Sequence, residues 1–429
     1  MGKFFFAPRG KKFSDFDLIK YNNKIYVIFI EREKKDKKIL GGIGNSYGLA
    51  SSEDGFFWTY HGTIRKPVKD NEWKNGGLWA LDIFRHQDKF CMFYSSVQDI
   101  KGDPHDTQQI GLAYSPDLIN WKDSEKNPVI SYDNTKPFYY PKNVHKFCWR
   151  DPNIYPYEDK YYCVMVAKDI EKSYEKSGCV ALLKSDDLIS WKNLPPLFSP
   201  GKYWELEAPF IFQNKDKYFL LYGEYSNGIC MRYATSDKLL GEYEEPKLNI
   251  ITPSYCYAAK VIKFKHDLYF YHWITDNNRV GPEKYLAPPK LVEVQKDKLF
   301  LKKHPVLEEY FEKIPLKSFL DSIQEKKRIK VEKKVNDLNL KIKIRTENPI
   351  YSRNIFFNQF DHGVSIRDFG LFNNPNDLRT LELNPDQEYK FEMYIEDNII
   401  EIYINGYFVY STFLEKNSSN IKKFEIIEG

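Results

Sequence analysis

Three acidic residues that are far apart in the chain occupy similar positions in similar segments. Asp15, Asp151 and Glu207 each lie ten or eleven residues before a tyrosine of a second predicted strand. Carboxylates brought together in one pocket repel one another and lose hydration, which raises the pKa of at least one. Glycoside hydrolysis uses such a set, because it needs one ionised carboxylate and one carboxylic acid that protonates the leaving oxygen. The three residues therefore predict a glycosidase site, provided that the fold brings them together.

Other residues near these carboxylates are suited to binding a sugar. Arg150 directly precedes Asp151 and is expected to orient a carboxylate or contact the sugar, with an ordinary ion pair as the alternative. In the second segment the comparable position is Trp79, with Asp82 nearby, and the fifth segment offers Tyr257. Aromatic faces can stack on sugar rings. We expect these four side chains to bind substrate.

The elements that must position these residues recur along the first three quarters of the chain. Each copy has an apolar or charged opening, a polar turn and an aromatic-rich strand, which is typical of a β-hairpin. The five copies are residues 15–29, 80–94, 150–166, 207–222 and 257–273. A second unit follows the first four copies. In three of these units a Ser precedes a Trp by six residues, with an Asp two after the Ser, a pattern that caps a turn.

Hairpin plus hairpin gives a four-stranded antiparallel sheet, and five such sheets indicate an all-β chain with a five-bladed β-propeller over residues 1–305. Equivalent positions in the first strands of different blades would then converge on a central axis. Residues 306–329 are charged and are expected to form a partly helical, solvated linker. Alternating strands resume over residues 330–429 and predict a small C-terminal β-sandwich.

Composition excludes several other classes of protein. The 429 residues include 64 Lys and Arg against 60 Asp and Glu, so there is no positive field to attract nucleic acid. The six cysteines have no C-x-x-C spacing and the histidines are scattered, so we expect no metal site, no disulfide framework and no organic cofactor. No apolar run is long enough for a signal peptide or a membrane span. A soluble cytoplasmic protein that acts without a membrane partner is the expectation.

At the acidic residues the sequence resembles glycoside hydrolase family 32, the β-fructofuranosidases of invertase, inulinase and levanase type. The resemblance runs nearly from end to end, although most individual motifs are short. Trp149-Arg150-Asp151-Pro152 matches the Arg-Asp-Pro motif of that family, and Glu207-Ala208-Pro209 resembles its Glu-Cys-Pro motif. Further similar segments are residues 255–262, 286–294, 301–310 and 400–412.

The resemblance implies a five-bladed propeller with a C-terminal β-sandwich and a role for each matching carboxylate. Asp15 would be the nucleophile that forms a covalent glycosyl-enzyme, and Asp151 would stabilise the transition state through the sugar hydroxyls. Glu207 would be the general acid/base. The implied enzyme is a retaining glycosidase that cleaves terminal β-D-fructofuranosyl units from a disaccharide or oligosaccharide.

Two departures from the family pattern leave alternatives open. The first acidic motif reads Ser14-Asp15-Phe16-Asp17-Leu18, and Asp15 and Asp17 share one face of a regular strand, so Asp17 is a second candidate for the nucleophile or a substrate contact. Residues 77–82, with Asp82, resemble the related family 43 instead. An inverting arabinofuranosidase or xylosidase is therefore one alternative, and a non-catalytic carbohydrate-binding propeller is another.

Overall fold

The computed structural model describes residues 2–34, 43–69, 73–100, 103–132, 138–141, 148–224, 229–275, 284–325, 328–347, 352–360, 363–369, 377–380, 388–414 and 421–428. In these residues the chain is nearly all-β, as expected. The α-helices are α1 (Val306–Tyr310) and α2 (Phe319–Gln324), and short 3-10 turns cover Pro104–Thr107, Tyr174–Lys176 and Leu316–Ser318. None of the described helices is long and apolar enough to span a membrane.

The strands of the first part of the chain are β1 (Lys11–Tyr21), β2 (Lys24–Glu33), β3 (Ser46–Ser52), β4 (Thr59–Arg65), β5 (Gly77–His86), β6 (Lys89–Val97), β7 (Gln109–Ser115), β8 (Lys122–Asp123), β9 (Arg150–Tyr157), β10 (Lys160–Lys168), β11 (Gly178–Ser185), β12 (Trp191–Phe198), β13 (Glu207–Asn214), β14 (Lys217–Glu224), β15 (Cys230–Ser236), β16 (Cys256–Phe264), β17 (Asp267–Thr275), β18 (Lys284–Leu286), β19 (Lys290–Gln295) and β20 (Lys298–Lys302).

The remaining strands are β21 (Glu312–Ile314), β22 (Ile329–Val335), β23 (Leu340–Thr346), β24 (Arg353–Phe360), β25 (Gly363–Phe369), β26 (Asp377–Thr380), β27 (Tyr389–Glu396), β28 (Ile399–Ile404), β29 (Tyr407–Phe413) and β30 (Ile421–Glu428).

Consecutive strands build separate antiparallel sheets. Within the described residues, β1–β4, β5–β8 and β9–β12 form three four-stranded sheets, β13–β15 form a three-stranded sheet, and β16 begins a fifth. The first strands contact one another in the order β1, β5, β9, β13 and β16, and β16 contacts β1. These contacts close a ring of first strands, so residues from distant parts of the chain meet at its centre.

Local turn chemistry explains the tight hairpins. The β1–β2 turn has positive φ at Asn22 (47°) and Asn23 (59°), and the β9–β10 turn has positive φ at Glu158 (48°) and Asp159 (58°). Positive φ at both central residues gives the twist that joins two antiparallel strands through two residues. Asn and Asp tolerate this backbone better than most residues.

Every first strand of these five sheets carries a β-bulge at the equivalent place. The pairing with the second strand shifts between Phe13 and Phe16, Leu78 and Leu81, Arg150 and Asn153, Glu207 and Phe210, and Tyr257 and Lys260. In each case three steps on the first strand oppose two on its partner, so one residue is inserted. A bulge bends the strand and re-aims its side chains, often beside an active site.

Several C-terminal strands continue the fifth sheet of the first part of the chain. Strand β20 pairs with β29 at Lys302 and Tyr407, which extends the fifth sheet through β28, β27 and β22 to β21. Strands β26, β25, β24, β23 and β30 form a separate sheet. Side chains of β23 and β30 share one core with those of β22 and β27. The two sheets therefore enclose a hydrophobic core of their own.

The segment between these regions is less solvated than its charge suggests. Leu307, Phe311, Phe319 and Ile323 are each at most 6 % exposed. Strand β21 pairs in parallel with β22. The expected solvated linker is therefore a packed segment whose apolar side chains join the two cores.

Candidate active site

A cavity of about 440 Å³ opens among the bulged first strands. It is lined by Ser14, Asp15, Ile30, Asn45, Trp79, Ala80, His105, Arg150, Asp151, Glu207, Ala208, Ile229, Tyr257, Trp273 and Lys284. The structure thus brings together six of the eight side chains selected from the sequence. Asp15, Asp151 and Glu207 come from three different sheets.

The bulges place the three carboxylates at successive positions. Glu207 is the last regularly paired residue before its bulge, Asp151 is the first residue inside one, and Asp15 is the second. Asp151 and Ala208 have φ of 59° and 46°. This left-handed conformation costs a non-glycine residue about 1–3 kcal/mol and concentrates at functional sites. The bends at the bulges direct the three carboxylates toward the same cavity. Each carboxylate occupies a different position relative to the bulge of its own strand.

Asp15 keeps one carboxylate oxygen available. Trp273 Nε1 donates to Asp15 Oδ1 at 2.9 Å, and this is the one hydrogen bond to the carboxylate within the described parts of the chain. The indole fixes the carboxylate without neutralising it. Oδ2 is left to react with a ligand in the cavity.

Asp151 is held by the neighbouring sheet. Its Oδ2 accepts a hydrogen bond from the Ala208 backbone N–H at 3.0 Å, and its own N–H donates to Ser95 Oγ at 2.9 Å. Burial raises the pKa of Asp151 to about 6, with Arg150 opposing the rise and Asp15 adding to it. The Asp151 carboxylate is therefore mostly ionised at pH 7.

Glu207 has the opposite protonation state at pH 7. Burial raises its pKa to about 8, while Arg150 lowers the pKa and the nearby Glu205 and Asp151 raise it. Tyr257 Oη donates to Glu207 Oε2 at 2.7 Å. Burial holds the pKa of Tyr257 well above its ordinary value, so the phenol stays protonated and remains a donor. Glu207 is a carboxylic acid beside an ionised Asp151, which is the division of roles needed for general acid catalysis.

Two buried donors in the cavity lack partners. Arg150 Nη1 and Trp79 Nε1 have no hydrogen-bond partner among the described residues, and both side chains line the cavity. A buried donor left unpaired costs about 1–3 kcal/mol. A polyhydroxylated ligand would supply the missing acceptors. Trp79 also lies against the edge of His105, with ring centroids 4.8 Å apart.

Asp17 and Asp82 do not line this cavity. Asp17 Oδ2 accepts from the Ile83 N–H at 2.7 Å, and Asp82 Oδ2 accepts from the Ile154 N–H at 3.0 Å. Each carboxylate thus ties its first strand to the first strand of the next sheet. Instead of contacting a sugar or acting as a nucleophile, as the sequence suggested, both residues join neighbouring strands.

Glu205, which is 5 % exposed, is an acidic residue of this site that the sequence pattern did not predict. The Glu205 carboxylate contacts Arg150 Nη2, which also contacts Glu207. Cys148 Sγ lies 3.2 Å from Glu205 Oε1. The signal for this residue is its position two before Glu207, which places a second acidic side chain next to the same bulge.

A metal centre would need several donor side chains close together. Among the residues that the structure describes, no group of three or more His, Cys, Asp or Glu side chains could hold a metal ion.

Comparisons with known proteins show the family and the fold. The family model described as "Glycosyl hydrolases family 32 N-terminal domain" matches residues 5–277. A Bombyx mori β-fructofuranosidase mutant in complex with sucrose is 16 % identical, with a TM-score of 0.70 over 99 % of this chain and 93 % of that one. A Cichorium intybus fructan 1-exohydrolase IIa in complex with 1-kestose is 14 % identical, with a TM-score of 0.69 over 100 % and 94 %. Sucrose-6-phosphate hydrolase from Lactobacillus gasseri is 17 % identical, with a TM-score of 0.70 over 100 % and 90 %.

Proposed function

The chain belongs to glycosyl hydrolase family 32 and is a glycosidase, and from this premise we propose that it removes terminal β-D-fructofuranosyl units from a disaccharide or oligosaccharide with retention of configuration. The observation that carries the proposal is the cavity in which burial raises the pKa of Glu207 to about 8 and in which Asp15 Oδ2 accepts no hydrogen bond from the described residues. These are the acid and the nucleophile of a double displacement.

The proposed reaction has two steps. Asp15 Oδ2 attacks the anomeric carbon as the glycosidic bond breaks, and Glu207 gives its proton to the leaving oxygen. This leaves a fructosyl ester on Asp15 and an ionised Glu207. Glu207 then takes a proton from water, which attacks the same carbon and releases the sugar from Asp15. Asp151 holds hydroxyls of the sugar ring and stabilises the positive charge that develops on it.

The choice of fructosides rests on the relatives and on the cavity. Two of the similar structures contain sucrose and 1-kestose, which both carry a terminal fructosyl unit. Arg150 Nη1 and Trp79 Nε1 have no partner among the described residues and could donate to sugar hydroxyls. Asp82 accepts a hydrogen bond from Ile154 and does not line the cavity, so it gives no support to a family 43-like substrate contact.

The fold belongs to the same proposal. We infer that the five sheets are the blades of a five-bladed propeller over residues 1–305, because their first strands close a ring. Residues 330–429 are the β-sandwich, and residues 306–329 connect the two.

The test is a hydrolysis assay of the purified chain on sucrose, 1-kestose, inulin-type and levan-type oligosaccharides, and arabino- and xylo-oligosaccharides. The anomeric configuration of the first product is read by NMR. We expect release of fructose with retained configuration. Inverted product, or release of arabinose without fructose, would overturn the proposal in favour of a family 43-like activity, and sugar binding without turnover would indicate a non-catalytic propeller.

Two variants identify the reacting groups. Glu207→Gln removes the proton donor and should lower kcat by roughly 10²- to 10⁴-fold. Asp15→Asn removes the nucleophile and should abolish turnover. The matched control is Asp267→Asn, an exposed carboxylate in the β16–β17 hairpin that should leave kcat unchanged. Circular dichroism and the thermal midpoint show whether each variant is folded. Normal turnover by folded Asp15→Asn would exclude Asp15 as the nucleophile.

A further inference from the structure

Arg150 is shared between two glutamates. Its Nη2 atom contacts Oε1 of Glu205 and Oε1 of Glu207, and the guanidinium is 5 % exposed. Arg150 Nε is 3.8 Å from Asp151 Oδ1. The Arg150 guanidinium therefore lies beside three carboxyl groups. Its distance from each one determines how strongly it stabilises the ionised form of that group.

The charged and titratable groups around Glu207 come from every element packed against it. Glu205 and Asp151 raise the pKa of Glu207, so Glu207 keeps its proton more readily than it would beside Arg150 alone. The groups are Asp15 on β1, His105 in the Pro104–Thr107 turn, Arg150 and Asp151 on β9 with Cys148 just before it, Lys168 on β10, Glu205 just before β13, Tyr257 on β16 and Lys284 on β18.

We propose that Glu205 is a positioning residue that shares the Arg150 guanidinium with Glu207, offsets part of its positive charge, and so keeps Glu207 able to carry the proton that the reaction needs. The proposal rests on the acid/base role of Glu207 proposed above. A glutamate that only balanced the charge of Arg150 would not need to share Nη2 with the acid. Nη2 has two N–H groups and contacts both carboxyl groups, so the single positive charge of Arg150 is divided between Glu205 and Glu207.

The ionisation of Glu205 agrees with this role. Burial tends to raise the pKa of Glu205, but Arg150, Cys148 and Lys168 together hold it below its ordinary value. Glu205 is therefore ionised while Glu207, two residues later, is protonated. The negative charge of Glu205 also raises the pKa of Glu207 directly.

The test is Glu205→Gln, which keeps the shape and removes the charge. Arg150 would then act on Glu207 alone, so the pKa of Glu207 should fall. We expect the alkaline limit of the kcat/KM profile to move down by about one pH unit, the size of effect that one nearby charge produces. Because the charge of Glu205 also raises the pKa of Asp151, the acidic limit should move down in the same variant, so that the whole profile shifts to lower pH.

Two further variants test whether the shift of the alkaline limit comes from the charge of Glu205. Tyr257→Phe removes a hydrogen bond that lowers the pKa of Glu207, so its alkaline limit should move up, opposite to Glu205→Gln. Cys148→Ala removes the thiol beside Glu205 but keeps the Glu205 charge, so its limit should stay in place. If Glu205→Gln does not fold, Glu205→Asp provides the test. A carboxylate one methylene shorter contacts Arg150 less closely, so the alkaline limit of kcat/KM should fall by a smaller amount.

A second readout does not depend on activity. The protein is labelled with ¹³C at the glutamate carboxyl carbons, the Glu207 signal is assigned by its loss in Glu207→Gln, and its titration is followed by NMR. A lower pKa of Glu207 in Glu205→Gln supports the proposal even if the wild-type chain hydrolyses none of the sugars tested, which would refute only the proposed function. A folded Glu205→Gln protein with an unchanged titration of Glu207 would overturn it.

Discussion

At the residue scale, the carboxyl groups of the cavity differ in whether they hold a proton at neutral pH. Glu207 and Asp151 are both buried, yet their pKa values of about 8 and about 6 lie on opposite sides of neutral pH. Burial raises both pKa values and Arg150 lowers both, and each group also faces carboxylates that raise its pKa: Asp15 and Glu205 for Asp151, and Glu205 and Asp151 for Glu207. One fold thus provides an acid and an anion within one cavity.

This division predicts a bell-shaped dependence of kcat/KM on pH. Activity should fall as the pH rises through about 8, because Glu207 loses the proton that it must donate. Activity should also fall as the pH drops through about 6, because Asp151 gains a proton and no longer stabilises the transition state. Initial rates on sucrose between pH 4 and 10 measure both limits, since kcat/KM reports groups of the free enzyme. A rate that still rises at pH 9 would contradict the assignment of Glu207 as the acid.

The sequence was sufficient to select the three carboxylates but not to separate Asp15 from Asp17. Residues two apart share a face only in a regular strand. The bulge between Phe13 and Phe16 includes Asp15 and ends before Asp17, so the two side chains take different directions. Glu205 could not be selected because its role depends on Arg150, which is distant in sequence. Spacing along the chain does not show which carboxylate a buried cation will meet.

At the element scale, a buried charge cluster lies where the first strands meet. Lys260 on β16 is 3.6 Å from Asp17 on β1 and lies over the ring of Phe210 on β13, 4.8 Å from its centroid. Asp17 and Asp82 then bind backbone N–H groups of β5 and β9. The cluster therefore touches β1, β5, β9, β13 and β16, the first strands of the five sheets that surround the cavity.

Removing the cation of this cluster should weaken the fold. We expect Lys260→Met to lower the free energy of unfolding by about 3–5 kcal/mol, because it leaves a buried carboxylate pair without a counter-charge. The matched control is Lys263→Met, whose side chain is exposed on the same strand and should change stability by less than about 0.5 kcal/mol. Urea unfolding measures both variants.

The pH dependence of this loss has a definite sign. Burial already raises the pKa of Asp17, and Lys260 opposes that rise. Without Lys260 the folded-state pKa rises further, so the loss is full above that value. It should shrink as the pH falls through that value toward the lower folded-state pKa that Asp17 has beside Lys260, because the unfolded chains of the two proteins titrate alike. An equal loss at pH 5 and pH 8 would mean that Lys260 acts through packing alone.

At the scale of the whole molecule, the C-terminal strands form part of the core of the first region. Tyr394, Tyr403 and Phe408 belong to the same cluster of buried side chains as Phe4 and Phe13. Lys290 on β19 and Glu401 on β28 form an ion pair that is at most 1 % exposed. The sequence predicted two regions with a linker, and its charge pattern suggested a solvated surface. Charge alone does not show that Glu308 pairs with Lys303 and Lys330 across the junction.

The shared core predicts that the two regions unfold together. Glu401→Gln leaves Lys290 buried without a counter-charge and should destabilise the whole chain by about 3–5 kcal/mol. Calorimetry should show one transition, shifted to lower temperature, in which the calorimetric and van't Hoff enthalpies agree. The exposed Glu388, paired with Lys334, provides the control variant Glu388→Gln, which should barely move the transition. Two separate transitions would show that the regions unfold independently.

The repeated bulge has a consequence for how new specificities arise. Each first strand kinks between equivalent pairs of residues, whether the kink presents a carboxylate, as at Asp151, or an aromatic ring, as at Trp79. The bend of the backbone therefore does not depend on which side chain stands at the bulge. In the proposed site, exchanging the side chain at Trp79 should alter what the cavity recognises, while the other bulges keep the proposed catalytic groups in place. Evolution and protein engineers alike can vary substrate choice on this scaffold one position at a time.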